Sequence, residues 1–171
     1  MDYIKIVEFY KSLGKRAKAV IDTSYYVELC KTTEEEKIFC HHDYTYHNII
    51  IDKEEKVNVI DFDYCKREVR IYDISAFMVK VLKRVKWDLE YAKLIIDAYN
   101  EVDIIKEDEY RVLYSYLLFP QRFWRLSNRY YYNEVNWSQN TFNSKMEELI
   151  AEQDNYMKFL DDFKNFYSQA E

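Results

Sequence analysis

At 171 residues the chain is long enough to bury its own core without metal or disulfide staples, and one domain spanning 1–171 is the default for that length. Hydrophobic residues at 49% beside charged residues at 33% describe a soluble globular protein, and no apolar run reaches the ~20 residues needed to cross a bilayer. The net charge of −6 argues against a nucleic-acid backbone as partner.

Cys30, Cys40 and Cys65 are odd in number and form no C-x-x-C pair, so they read as reduced thiols of a cytoplasmic product. The opening residues MDYIKIVEF read as an amphipathic helix and not as a signal peptide. A single glycine (Gly14) and a single proline (Pro120) imply few tight turns and long helices. Eighteen tyrosines invite oxidative cross-linking as a role, but most sit at helical core spacing and read as packing residues.

In chain order, residues 2 to about 20 form a helix by periodicity, with Ile6, Phe9, Tyr10, Leu13 and Ala17 on one face and Gly14 marking an early end. A second helix starts near Asp22 or Thr23, both good N-cap types, and the acidic segment 32–37 is its solvated end. A polar loop, 40–48, follows. Then come two short β-branched runs, 49–51 and 57–60, joined by the charged connector 52–56, which is the pattern of a β-hairpin. A polar connector, 63–72, leads to a helix opened by Asp73. The remainder reads as helices over 87–102, 109–131 (kinked or split at Pro120) and 140–168. The basic stretch 80–86 reads as a solvated face. The fold class is α+β, mostly α-helical, with a small hairpin set into it.

The hairpin focuses the chemistry. Asn48 and Asp61 are equidistant from the centre of the connector, between Glu54 and Glu55, so both return to the hairpin's open end. A carboxylate and an amide oxygen there, with Asp43 in the preceding loop, make an oxygen-rich pocket suited to a hard cation such as magnesium. A zinc site built from Cys40, His41, His42 and His47 is the rival. Adjacent histidines on an extended segment point to opposite sides, and the chain has no other histidine to complete such a site.

The same residues carry a resemblance. His41-His42-Asp43 followed by Asn48 matches the kinase catalytic-loop pattern H-x-D-x4-N, and Asp61-Phe62-Asp63 stands where kinases have D-F-G. The run FCHHDYTYHNIIID…VNVIDFDY…YDISAF resembles the aminoglycoside phosphotransferase and choline kinase branch of that superfamily. Within it, the run is most similar to the CotS family of bacterial spore-coat proteins. YSYLLFPQRFWRLSNRYYYNEVNW and NTFNSKMEEL extend the likeness over nearly the whole chain.

The resemblance implies the C-terminal lobe of a protein kinase-like fold, with the hairpin carrying the catalytic-loop motifs. It implies Asp43 as catalytic base, and Asn48 and Asp61 as ligands of the magnesium ions that accompany ATP. It makes His41 and Asp73 structural supports of the catalytic loop, while Asp63 and His47 are possible accessories. It also implies a glycine-rich loop, a β3 lysine and its glutamate partner ahead of the loop, yet only forty residues precede His41 and they read as helices. The N-terminal nucleotide-binding lobe is therefore expected to be absent.

His42 replaces the arginine or glycine usual at its position, Asp63 replaces the D-F-G glycine, and no Gly-Asp-Pro lies in 66–71. Two readings stay open. In one, the chain is a structural or assembly protein of the spore coat, made in the bacterial cytoplasm, catalytically incompetent alone and needing no cofactor. In the other, it is the C-terminal portion of an ATP- and magnesium-dependent small-molecule kinase, awaiting its other lobe. Apolar surface left by a missing lobe would be covered by that lobe, by other coat proteins or by a second copy.

Overall fold

Helix α5 (Glu107–Leu118) is the element on which the others pack. The run 112–118 is apolar or small on nearly every side, and Val112, Leu113, Tyr114, Ser115, Leu117 and Leu118 are all buried. A helix that is apolar around its circumference must be surrounded. Here α1 (Tyr3–Asp22), α3 (Ile71–Arg84) and α8 (Gln153–Ser168) enclose it. The computed structural model describes residues 3–132 and 135–168.

Buried hydroxyls fix the register of these contacts. Ser115 Oγ donates to the Ala17 carbonyl at 2.9 Å, and the Tyr156 hydroxyl donates to the Leu117 carbonyl at 2.6 Å. The Tyr10 hydroxyl reaches the Leu149 carbonyl at 3.3 Å. Tyr10, Tyr114 and Tyr156 are buried, as core spacing predicts, whereas Tyr64, Tyr131 and Tyr132 are exposed.

The remaining elements are α2 (Tyr26–Glu36), α4 (Leu89–Asn100), α6 (Gln121–Tyr131) and α7 (Gln139–Ala151), with two separate two-stranded sheets. The long segment around Pro120 splits into α5 and α6 as expected. Other boundaries moved. Helix α1 runs through Gly14 to Asp22, because one glycine in a strongly amphipathic helix costs only about 1 kcal/mol. Thr23 bonds the Ala19 and Val20 carbonyls and so finishes α1; it does not open α2, which starts at Tyr26. The helix expected over 87–102 begins at Leu89, after Lys86 and Trp87 turn with positive φ and Asp88 caps Glu90.

The single helix expected over 140–168 is two, α7 and α8, broken at Glu152, which pairs with Arg122. No glycine or proline signals that break. It lets α7 pack on α6 while α8 packs on α5.

The hairpin forms as expected from β2 (Ile49–Ile51) and β3 (Val57–Val59), with Ile49 opposite Val59. Its register differs by one residue from the symmetric expectation. The Asp52 carboxylate accepts the amides of Glu54 and Lys56, and Glu55 takes φ 63°, a left-handed residue that shifts the centre to Glu54. Asn48 therefore faces Ile60, whose amide donates to its carbonyl at 3.0 Å.

A second, unexpected pair joins β1 (Phe39–Cys40) to β4 (Lys66–Arg67). It ties the segment before the polar loop to the connector after the hairpin. The loop is held from both sides.

Candidate active site

Asp73 anchors the polar loop. It is the third residue of α3 and not its cap, since the helix begins at Ile71. That shift leaves both carboxylate oxygens free to accept the backbone amides of His41 at 2.6 Å and His42 at 3.0 Å. Charge-assisted bonds of this kind are short and strong. They hold His42 at φ 65°, a left-handed conformation that costs a side-chain-bearing residue about 1 kcal/mol or more.

His41 braces the loop from within. Its Nε2 lies 2.8 Å from the Ile60 carbonyl, and the Asp43 amide donates to its Nδ1 at 3.3 Å. One neutral tautomer, with the proton on Nε2, satisfies both contacts. The ring also packs on Phe62, with centroids 4.7 Å apart. The buried His41 thus joins the loop to the far end of the hairpin.

Asn48 closes the loop onto Asp43. Thr45 caps a 3₁₀ turn over Tyr46–Asn48 with its side chain on the His47 amide, which turns Asn48 inward. The Asn48 Nδ2 donates to the Asp43 carbonyl at 2.9 Å and to its Oδ2 at 3.2 Å. With the amide nitrogen so committed, the Oδ1 accepts from no described residue and remains available to a cation.

Asp43 Oδ1 receives Lys80 Nζ at 3.0 Å. That bond, more than the Asn48 contact, holds the Asp43 carboxyl below the usual carboxylate range. The sequence alone treated Lys80 as part of a solvated face. The available signal was its position seven residues after Asp73, two turns along the same helix face.

Asp61 and Asp63 stand apart. Both are exposed, and neither carboxylate bonds to any described residue. Asp61 follows β3 at the open end of the hairpin with φ 65°, a turn that ends the strand pairing. The structure brings His41, Asp43, Asn48 and Asp73 into one bonded cluster. It leaves Asp61 and Asp63 beside it, and His47 exposed against the Tyr46 ring.

Cys40 is buried, its thiol pushed up to about 12 by burial and directed at the carbonyls of Glu68 and Val69. Among the described residues no three His, Cys, Asp or Glu side chains are gathered as a metal cluster. The Asn48 Oδ1 is unengaged and the exposed Asp61 carboxylate bonds to no described residue.

Residues 18–163 match the family model described as "Spore coat putative kinase YutH". The chain belongs to that family. It is 27% identical to spore coat protein S of Bacillus subtilis (strain 168) over 172 residues, covering 98% of this chain and 48% of that protein. An aminoglycoside phosphotransferase from Alicyclobacillus acidocaldarius superposes with a TM-score of 0.86 at 17% identity, over 97% of this chain and 49% of that one. The chain thus spans about half the length of the relatives it matches. The kinase-like fold and the spore-coat kinship expected from the sequence hold. No helix among the described residues is long and apolar enough to cross a membrane.

Proposed function

We propose that this chain is the catalytic-loop half of a spore-coat phosphotransferase, which moves the γ-phosphoryl group of ATP to a substrate hydroxyl when an N-terminal nucleotide-binding lobe covers it. The observation that carries this reading is the Asp43–Asn48 pair held by Asp73, with the Asn48 Oδ1 left unengaged.

In that reaction the substrate oxygen attacks the γ-phosphorus, and the bond from that phosphorus to the β–γ bridging oxygen breaks. ADP leaves, and the hydroxyl proton passes to the Asp43 carboxylate. With its pKa held low, Asp43 orients the hydroxyl more than it pulls the proton. Asn48 and Asp61 would hold magnesium, whose chemistry is to neutralise charge on the transferred phosphate.

The exposed apolar residues around the hairpin, Phe39, Ile51, Val57, Phe62 and Tyr64, offer a surface for the covering lobe. The spore coat is where the family relation would place the protein. A second reading, a coat structural or assembly role without turnover, is favoured by the Lys80 ion pair already on the base and by the exposure of Asp61.

Calorimetric titration of Mg-ATP into the chain tests the choice. Binding that Asp61→Asn abolishes, with Asp63→Asn mattering less, supports the half-site. No binding at millimolar nucleotide, or binding indifferent to Asp61, leaves the structural role and its coat partners.

A further inference from the structure

A second feature of the loop points to the acceptor. A cleft of about 520 Å³ opens beside Asp43, lined by His42, Asp43, Tyr64, Lys66, Tyr72 and Arg125. Its size suits a small molecule. Neither Asn48 nor Asp61 nor Asp63 lines it, so it lies on a different side of Asp43 from the candidate metal ligands. The two histidines explain the division. His41 turns toward Ile60 and Phe62 at the hairpin, while the His42 ring turns the other way and stacks on Tyr72 with centroids 4.1 Å apart.

The charged side chains lining this cleft are Asp43, Lys66 and Arg125; the carboxylates of Glu68 and Asp73 act on His42 and Tyr72 without lining it. Asp43 is already matched by Lys80. Lys66 and Arg125 make no ion pair or side-chain hydrogen bond with any described residue, although the protein as a whole is acidic at −6. The Lys66 charge acts on the His42 ring and the Arg125 charge on the Tyr72 hydroxyl, which locates both at the cleft. Behind them, Glu68 stands 3.9 Å from His42 Nε2, too far for a hydrogen bond.

The His42 side chain is only 9% exposed, and its Nε2 is buried with no hydrogen-bond partner. With essentially no accessible surface, that nitrogen meets no ligand atom directly; the charged side chains that line the cleft are those of Asp43, Lys66 and Arg125.

We propose that the acceptor bound at Asp43 is a small anionic hydroxyl compound, its negative group held by Lys66 and Arg125 and its hydroxyl set on Asp43. The hydroxyl part of this proposal rests on the phosphotransfer reading above; the anionic part rests on the cleft. Two unpaired cations would repel an amine-bearing acceptor and draw a carboxylate- or phosphate-bearing one.

The test is calorimetric titration of the full chain, without nucleotide, with D-gluconate and glycerol 3-phosphate as anionic probes and choline and glycerol as cationic and neutral ones. The anions are expected to bind and the other two not. Lys66→Gln and Arg125→Gln should each weaken anion binding about tenfold, the usual effect of losing a charged hydrogen bond. Lys53→Gln, at the exposed hairpin tip, should leave it unchanged. All three positions are exposed, so folding is not at stake.

Repeating the titration with Mg-ATP present separates acceptor from nucleotide. Displacement of the anions would assign Lys66 and Arg125 to the nucleotide phosphates and overturn the proposal. So would choline binding as tightly as the anions, no anion binding at millimolar concentration, or anion affinity indifferent to both substitutions. A chain silent to Mg-ATP that still binds anions through Lys66 and Arg125 would keep the anionic cleft and lose the phosphotransfer reading.

Discussion

The loop over 41–48 and the Asp61–Asp63 step lie at the same end of one hairpin, yet they are built on different principles. In the loop, His41 and Asn48 are buried, and the side chains of His41, Asp43 and Asn48 are tied to backbone or to a neighbour. In the step, both carboxylates face solvent and bond to no described residue. Those loop side chains are held by the chain itself. The carboxylates of the step are left to solvent, where they are open to charge from outside the chain.

The largest effect that would break the contrast comes from the support beneath the loop. Arg70 precedes α3 and grips the buried Glu109 through two bonds, at 2.8 and 2.6 Å, while also bonding the Ile104 carbonyl. Glu109→Ala would leave the guanidinium without its buried counter-charge and is expected to cost roughly 3–5 kcal/mol by urea denaturation. A loss near zero would mean that the α3 start, and with it Asp73, is held by other contacts.

Asp73→Ala removes the acceptor of two loop amides. It should lower stability by roughly 2–3 kcal/mol and speed hydrogen exchange at His41 and His42 above the neighbouring amides. Uniform exchange across the loop would show that the anchor is not local.

Lys80→Met should act on charge more than on stability. The pair is partly exposed, so the stability change is expected within about 1 kcal/mol. The Asp43 pKa should rise, readable in a carbon-13 carboxyl titration. The sign follows from linkage. A carboxyl with a depressed folded pKa contributes stability above its unfolded pKa and loses it as pH falls through the folded value. The variant should therefore show a weaker loss of stability on acidification than the native chain.

The smallest effects belong to the open half. Asp61→Asn and Asp63→Asn should each change stability by less than about 0.5 kcal/mol, since neither carboxylate has a protein partner. A clear loss in thermal unfolding would show that the step is structural and erase the distinction between the two regions.

His42 offers a pH test of the loop. Burial, with the Lys66 charge second, holds its pKa below the usual histidine value. The folded protein resists protonation there, so stability should fall as pH drops below the unfolded histidine pKa, and His42→Phe should blunt that fall.

Much of this was legible in the residues. The hairpin, the split at Pro120 and the face of α1 all follow from local pattern, because β-branched runs, proline and periodic apolar residues act over a few positions; the Asp73 support of the loop was expected only from the resemblance. The α7–α8 break at Glu152 and the β1–β4 pair were not legible. The break meets the Arg122 pair between helices, and the strand pair joins segments far apart in the chain, so no window of sequence contains either cause. The hairpin register was missed for a subtler reason. It hangs on Glu55 accepting a left-handed conformation that glycine normally supplies, in a chain with a single glycine.

The sequence by itself determined the motif set and its order: His41, Asp43, Asn48, Asp61 and Asp73 at spacings that resemble a kinase-like loop and hairpin. The tertiary structure alone decided their standing. Lys80 came to Asp43 across a helix face, Lys66 and Arg125 came to one cleft from a strand and a helix, and Asp61 stayed in solvent. Spacing along a chain fixes which side chains share an element. Which charges meet, and which remain unpaired, depends on how separate elements pack.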